Sequence, residues 1–361
     1  MPYTGLAPRH VEASRAVVVF DADHEEHDVN ALTTEQLDRA RGALVGAAVG
    51  DALGVPYEFA PRLSAQTEPV MRGGGLGDFA PGEWSDDTAM LMAVARAGAE
   101  HGSLTTQAAL DTVAEGFLDW FSSNPPDVGN QTRRVLSAAL RDRSAERSIG
   151  ATMLGASDEL LRSGERTAGN GALMRTAPVA LAHLDDRDAL ARAARAVATL
   201  THGDGLAGDS CVLWCEAIRI AVLESRIDVH TGLDLVPADR RDFWTGKLDE
   251  ARENDPRSFT PNGYTVTALQ AAASSILHAS GDGADHLRDG LFTAIRIGDD
   301  TDTVAAIAGA LLGARWGRSA IPQKWQDDVH GWPVIDGSPA TAVHLGTLAD
   351  TLVAGPIPTC G

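Results

Sequence analysis

Cysteine is scarce in this sequence, with three in 361 residues. That excludes a disulfide framework, and Cys211 and Cys215, four apart on a helical pattern, read as buried thiols, so no zinc site is expected. Aromatic residues make up only 5%. No apolar run approaches the ~20 residues that a membrane span needs. Near the start, Ala16 to Phe20 is a short apolar run followed by the acidic stretch Asp21 to Asp28. The longer apolar core of a secretion signal is missing, so a cytoplasmic protein without membrane attachment is expected. Basic residues are outnumbered, 30 against 50 acidic ones, for a formal net charge of −20. Such a field repels a phosphate backbone and excludes a general nucleic-acid binder. A small anionic ligand stays open if arginines, backbone N–H groups and helix N-termini gather around it locally.

What is present is an ordinary globular composition, 44% hydrophobic and 22% charged, long enough for one large domain or two ordinary ones. Residues 1 to 30 read as an acidic, solvated tail in which "AVVVF" could add a short strand. From residue 31 to residue 361 a single domain is expected. Its first helix is marked by Thr33-Thr34-Glu35-Gln36, a capping box in which a threonine oxygen and a glutamine side chain satisfy free N–H groups. That helix carries Gly42, Gly46, Gly50 and Gly54 at intervals of four. The stripe costs helix propensity, and close approach of a neighbouring helix would compensate. Segments 86–101, 105–121, 187–201, 206–224, 264–280 and 301–316 carry apolar residues at three- and four-residue spacing, and strict alternation is nearly absent. Together these predict a compact, orthogonal multi-helix, all-α fold without heptads or solenoid repeats.

Two stretches carry more acid than a helix needs. In "WSDDTAML", Ser85 suits an N-cap, and Asp86 and Asp87 occupy the opening turn, where the helix dipole favours anions. Capping alone would explain that. In "GDDTDTVAAI", however, Asp300, Thr301, Asp302 and Thr303 offer four side-chain oxygen sites in four residues ahead of an apolar stripe ending near Gly317. Where the backbone is still turning into a helix, alternate side chains can converge on one point. If the two helix entrances face each other, Ser85, Asp86, Asp87, Asp300, Asp302 and Thr303 form an all-oxygen nest. Glu58, in "GDALGVPYEF", adds a fifth carboxylate. Such a group does not stay ionised near neutral pH without cations, and two divalent ions would cancel four of its charges. Oxygen-only ligands suit Mg²⁺ or Mn²⁺, and a pair of such ions ~3.5–4 Å apart would be a hydrolytic centre.

Four motifs in order, "GALVGAAVGDALGVPYE", "GEWSDDTAML", "GNGALMR" and "GDDTDTVAAIAGALLGARWG", resemble the ADP-ribosylglycohydrolase family, including its dinitrogenase reductase-activating type. The resemblance runs from about Glu35 to about Trp332 and implies an all-α fold with a binuclear magnesium or manganese site. It makes Ser85, Asp86, Asp87, Asp300, Asp302 and Thr303 the metal ligands. Glu58 becomes a glutamate beside metals and substrate, and Glu58, Asp87 and Asp302 the catalytic acids. "GNGALMR", which could be only a turn between helices, becomes a cradle for diphosphate and ribose through Gly169, Asn170, Gly171, Met174 and Arg175. "DVGNQTRR" places Asp127 near an arginine acceptor, whose planar donor fork a carboxylate matches, and Asn130 near the ADP-ribose. Tyr264, otherwise a core helix residue, would stack on adenine.

His202 would line the ligand pocket, although "THGDGLA" departs from a frequent "THxHP" pattern in lacking the second histidine and the proline. The run "RGGGLGDF" lacks the Lys-Ser/Thr ending of a P-loop and reads as a flexible loop leading to the acidic cluster.

The expected activity is therefore hydrolysis of the bond between ADP-ribose and a protein side chain, arginine first, with an ADP-ribosylated protein as substrate and ADP-ribose as product. O-linked (serine) or other ADP-ribosyl conjugates stay open as substrates. A metal-dependent phosphohydrolase and an inactive ADP-ribose-binding module are the rival readings.

Overall fold

The computed structural model describes residues 32–355. The tail expected over residues 1–30, with its candidate strand, lies outside the described residues.

The helices in chain order are α1 (Thr34–Gly54), α2 (Asp86–His101), α3 (Gln107–Ser122), α4 (Asn130–Arg141), α5 (Ile149–Arg162), α6 (Ala177–Ala182) and α7 (Arg187–Thr199). They continue as α8 (Gly205–Glu224), α9 (Arg241–Glu253), α10 (Thr265–Leu277), α11 (Gly283–Ile297), α12 (Thr301–Trp316), α13 (Gln323–Asp328) and α14 (Ala342–Ala354). One small antiparallel hairpin, β1 (His330–Ile335) and β2 (Ser338–Thr341), joins α13 to α14. The six periodic segments all become helices, and α2 and α12 have the expected bounds. The capping box at Thr33 is formed in both directions. The hairpin is the departure from an all-helical reading, and its Gly-Trp-Pro sequence carries too little alternation to announce a strand.

The glycine stripe explains how the site is built. A Cβ placed on Gly42, Gly46 or Gly50 would lie 2.2, 2.3 or 2.0 Å from the carbonyl oxygens of Gly313, Gly309 and Ala305, and one on Gly54 would lie 2.4 Å from Cα of Asp302. The two helices therefore run antiparallel with their backbones in contact, which no larger residue would allow. Lost helix propensity, about 1 kcal/mol per glycine, is offset by this tight packing. The end of α1 is thereby set against the entrance of α12. There Thr301 donates its hydroxyl proton to the Gly54 carbonyl, 2.8 Å away, closing one of the free carbonyls at the helix end.

Around this pair, α2, α8 and α10 are largely apolar and buried. Cys211 and Cys215 sit inside α8 as free, fully buried thiols, and burial pushes Cys211 up to about 12. No helix among the described residues is long and apolar enough to cross a membrane.

Candidate functional site

The two acidic entrances meet. Asp87 of α2, Asp302 of α12 and Asp51 of α1 offer oxygen atoms that all lie within 4.8 Å of one another, and so do Glu58, Asp300 and Asp302. Asp51 is the residue that sequence reading missed. It lies in α1 beside the stripe glycine Gly50, completely buried, and the contact with α12 carries it into the cluster. A carboxylate inside an otherwise apolar stretch, "GAAVGDALG", was the available signal.

Asp51 also performs the capping expected of Ser85. Ser85 occupies the N-cap position of α2, yet its hydroxyl makes no cap and donates to Asp87 Oδ2 at 2.9 Å. Asp51 instead accepts from the backbone N–H groups of Ser85 (2.9 Å) and Thr88 (3.0 Å) and from the Thr88 hydroxyl (2.6 Å). Thr303, from the same expected set, is buried with its hydroxyl 4.0 Å from Met174 Sδ, and its N–H donates to Asp302 Oδ1.

Glu58 reaches the cluster through a strained link. The N–H of Phe59 donates to the Asp299 carbonyl at 2.7 Å, and both residues have positive φ, 48° and 61°. A side-chain-bearing residue pays about 1–2 kcal/mol for that conformation, so the surrounding packing must hold it.

The charge is not balanced by the protein. Among the described residues none of Asp51, Glu58, Asp86, Asp87, Asp300 and Asp302 joins an ion pair. Burial, then Asp300, Asp127, Asp86 and Asp51, push Glu58 up to about 9. Burial, then Asp127, Asp51 and Asp300, push Asp86 up to about 8. Burial and neighbouring carboxylates hold Asp87 and Asp302 well above the usual range. Burial also raises Asp51 and Asp300, against the hydrogen bonds they accept. Asp87 Oδ1 is buried without a hydrogen-bond partner. An orphaned acceptor amid carboxylates that cannot all ionise is what a hard cation would complete, so the residues present fit Mg²⁺ or Mn²⁺.

The glycine-asparagine motif lies against the Asp300 side. Asn170 donates one side-chain amide to Asp300 Oδ2 (2.8 Å) and to the Asn262 carbonyl (3.1 Å). Asn262, also missed, is fully buried, and its Oδ1 accepts the N–H of Asp300 at 3.0 Å. Tyr264 is not a core residue: it caps α10 at 41% exposure, and its backbone bridges to Gly169. A Cβ on Gly169 or Gly171 would stand 3.3 or 3.1 Å from the His202 ring, so the turn packs closely on that buried imidazole, an approach a larger residue would crowd. Asp204 caps α8 by accepting the N–H of Leu206.

Arg175 does not face this cradle. Its side chain is fully buried, with its guanidinium 4.3 Å from the Phe117 ring centroid, and burial lowers it to about 10. It donates to the Thr201 hydroxyl (2.6 Å), which lies 2.7 Å from His202 Nδ1. Burial and Arg175 push His202 well below its ordinary value, so the ring is neutral. Met174 is likewise buried beneath the cluster.

Asn130 is exposed at the start of α4. Its neighbour Gln131, not singled out from sequence, ties α4 to the cradle by donating to the Thr167 and Thr201 carbonyls and accepting from Gly169 N–H. Asp127 accepts the N–H of Val128 at 2.7 Å and lines, with Asp86, a cleft beside the cluster, near enough for its charge to raise Glu58, Asp86 and Asp300. The run from Arg72 to Phe79 folds into a tight backbone hairpin, with Gly74 and Phe79 exchanging N–H···O bonds of 2.8 and 3.0 Å.

Comparison with known proteins agrees with this arrangement. Residues 32–356 match the family model described as ADP-ribosylglycohydrolase. The chain is 30% identical to "ADP-ribosylarginine hydrolase Tri1" of Serratia proteamaculans (strain 568), over 81% of this chain and 76% of that one. It is 31% identical to "ADP-ribosyl-[dinitrogen reductase] glycohydrolase" of Rhodospirillum rubrum, over 80% and 89%. It is 26% identical to "ADP-ribosylhydrolase ARH3" of Danio rerio, over 82% and 87%. A solved structure titled "ADP-ribosylglycohydrolase-related protein complex" superposes with a TM-score of 0.66 at 28% identity, covering 89% of this chain and 99% of that one. These relatives span several types, so the dinitrogenase reductase-activating type is not singled out.

Proposed function

This chain belongs to the ADP-ribosylglycohydrolase family, and from that premise we propose that it hydrolyses the glycosidic bond between ADP-ribose and the side chain of a modified protein, arginine in particular. The observation that carries the reading is the meeting of two acidic helix entrances around an orphaned Asp87 oxygen. Asp86, Asp87, Asp300 and Asp302, with the hydroxyls of Ser85 and Thr303, would hold two Mg²⁺ or Mn²⁺ ions. When bound, such ions supply charge neutralisation and Lewis acidity.

The remaining chemistry belongs to the chain. Hydrolysis breaks the bond from the ribose anomeric carbon to the acceptor nitrogen, joins a water oxygen to that carbon and returns a proton to the leaving guanidine. Positive charge grows on the ribose as the bond breaks, and the carboxylates of Asp300 and Asp302, ionised when the cations are held, favour it. In the metal-free cluster Glu58 is pushed up to about 9, so this carboxyl takes up a proton readily and can exchange one beside the reacting centre. Asp127 accepts hydrogen bonds from the guanidine and keeps it protonated as it leaves. The Gly169–Gly171 turn, backed by the buried His202 ring, and the exposed Tyr264 would receive diphosphate, ribose and adenine.

Incubation with arginine- and serine-linked ADP-ribosyl peptides, with Mg²⁺, with Mn²⁺ and with EDTA, tests this. Free ADP-ribose from the arginine peptide, lost in EDTA, is the expected result. AMP plus ribose phosphate would make it a phosphohydrolase, tight binding without turnover an ADP-ribose reader, and preference for the serine peptide an O-glycosidic enzyme.

A further inference from the structure

The carboxylate cluster has two different flanks. On one, Asn170 donates to Asp300, beside glycines packed on the buried His202 ring. The Asp86 flank opens into a cleft of about 290 Å³, close to the lower end of ligand sites at roughly 300–1,000 Å³. Trp84 and Trp120 form its floor, each 2% exposed, and Trp332 and Val334 of the hairpin form one wall. Asp86 and Asp127 stand at its inner end, Glu83 also lines it, and no lysine or arginine does.

The hairpin is fixed to the metal-cluster helix. The indole N–H of Trp84, the residue before Ser85, donates to the Trp332 carbonyl at 3.0 Å, and Trp84 N–H donates to the His330 carbonyl at 3.0 Å. The wall therefore holds its place relative to Asp86. Val334 projects from it at 65% exposure, an apolar side chain left bare at the mouth of an acidic cleft.

We propose that this cleft is the leaving-group side of the site, and that it recognises polypeptide: it takes the cationic side chain of the modified residue between its tryptophans and Asp127, and seats apolar residues flanking that side chain on the hairpin at Trp332 and Val334. This rests on the glycohydrolase reading. The cleft reaches the cluster at Asp86, and a lining with three carboxylates and no lysine or arginine suits a cationic leaving group and not a diphosphate. Acid at the inner end selects a cation, and aromatic faces accept the flat guanidinium. An enzyme built this way reads the sequence around the modification as well as the modification itself.

The test compares kcat/KM for ADP-ribosyl-agmatine, which has the guanidine and no peptide, with that for arginine-linked ADP-ribosyl peptides bearing apolar or acidic flanks, and for a serine-linked peptide with apolar flanks. Val334→Asp, at an exposed position, and Trp332→Ala are measured beside the parent, with thermal melts to show that both are folded. Parent preference for the apolar-flanked arginine peptide, and a fall of about five- to ten-fold in its rate relative to agmatine in Val334→Asp, are expected. A peptide-to-agmatine ratio that moves less than about two-fold in both variants, or a parent indifferent to flanks, overturns the inference while leaving the glycohydrolase intact. Parent preference for the serine peptide removes the cationic part of it. A parent that releases no ADP-ribose from any substrate overturns the underlying reading itself.

Discussion

Two regions of this molecule bury acid, and they do so in opposite ways. In α8, Asp209 and Glu216 are completely buried, but Asp209 meets Arg195, Arg240 and the Trp244 indole, and Glu216 meets Arg187 and Arg219 at 2.7 Å each. At the junction of α1, α2 and α12, six carboxylates share a small volume with no arginine or lysine ion pair among the described residues. Buried acid that serves the fold is neutralised by the protein's own cations. Buried acid left unbalanced draws its counter-charge from protons or from added ions, and so becomes available for chemistry.

The largest effect that tests this contrast is on turnover. Asp87→Ala or Asp302→Ala should lower ADP-ribose release about 10³-fold or more while the melting transition survives. Release at the parent rate with full metal present would break the comparison at its functional end.

Stability should move in opposite directions in the two regions. Glu216→Gln should cost on the order of 2–4 kcal/mol in denaturant unfolding, at the low end because Arg187 still reaches water. Asp302→Asn, by removing an unbalanced charge, should leave metal-free protein at least as stable as the parent at alkaline pH. Equal losses in both would mean that the two acid sets are alike.

A smaller effect concerns Asn170, which donates to Asp300. Asn170→Ala should weaken Mn²⁺ affinity about 10- to 100-fold, measured by titration, with little change in melting temperature.

The smallest is a slope. Glu58 and Asp86, pushed up to about 9 and about 8, bind protons more tightly folded than unfolded, where carboxyls ionise near ~4. Between about pH 4 and about pH 9 the metal-free folded chain holds the extra protons, so these groups make stability fall as pH rises through that window. Melting temperatures at about pH 6 and about pH 8.5 should show that fall without Mn²⁺, and a flatter profile with it.

Much of this was legible in the sequence because it was written locally. The entrances of α2 and α12 were found at Asp86 and Thr301, since capping residues, acid and apolar stripe coincide there. The spacing of Gly42 to Gly54 announced a close helix partner, and α12 is that partner. Asp51 carries no such local mark, since it lies within a helix and not at an entrance and acts across a tertiary contact. Arg175 points into the core and not beside the glycines because it ends the tight turn Asn170–Arg175, where three residues per turn send successive side chains about 120° apart. Helix α4 keeps a helical spacing in Thr132, Val135, Leu136 and Ala139, but only Val135 and Leu136 are large and apolar, and the hairpin with its register shift gave too little alternation to be read.

Calorimetric titration of metal-free protein with Mn²⁺ at slightly alkaline pH, in two buffers of different ionisation enthalpy, addresses the unbalanced cluster most directly. Saturable uptake of two ions per chain with release of protons, abolished in an Asp87→Ala/Asp302→Ala double variant, is the predicted result. Absence of binding, or binding that releases no protons and persists in the double variant, would contradict it.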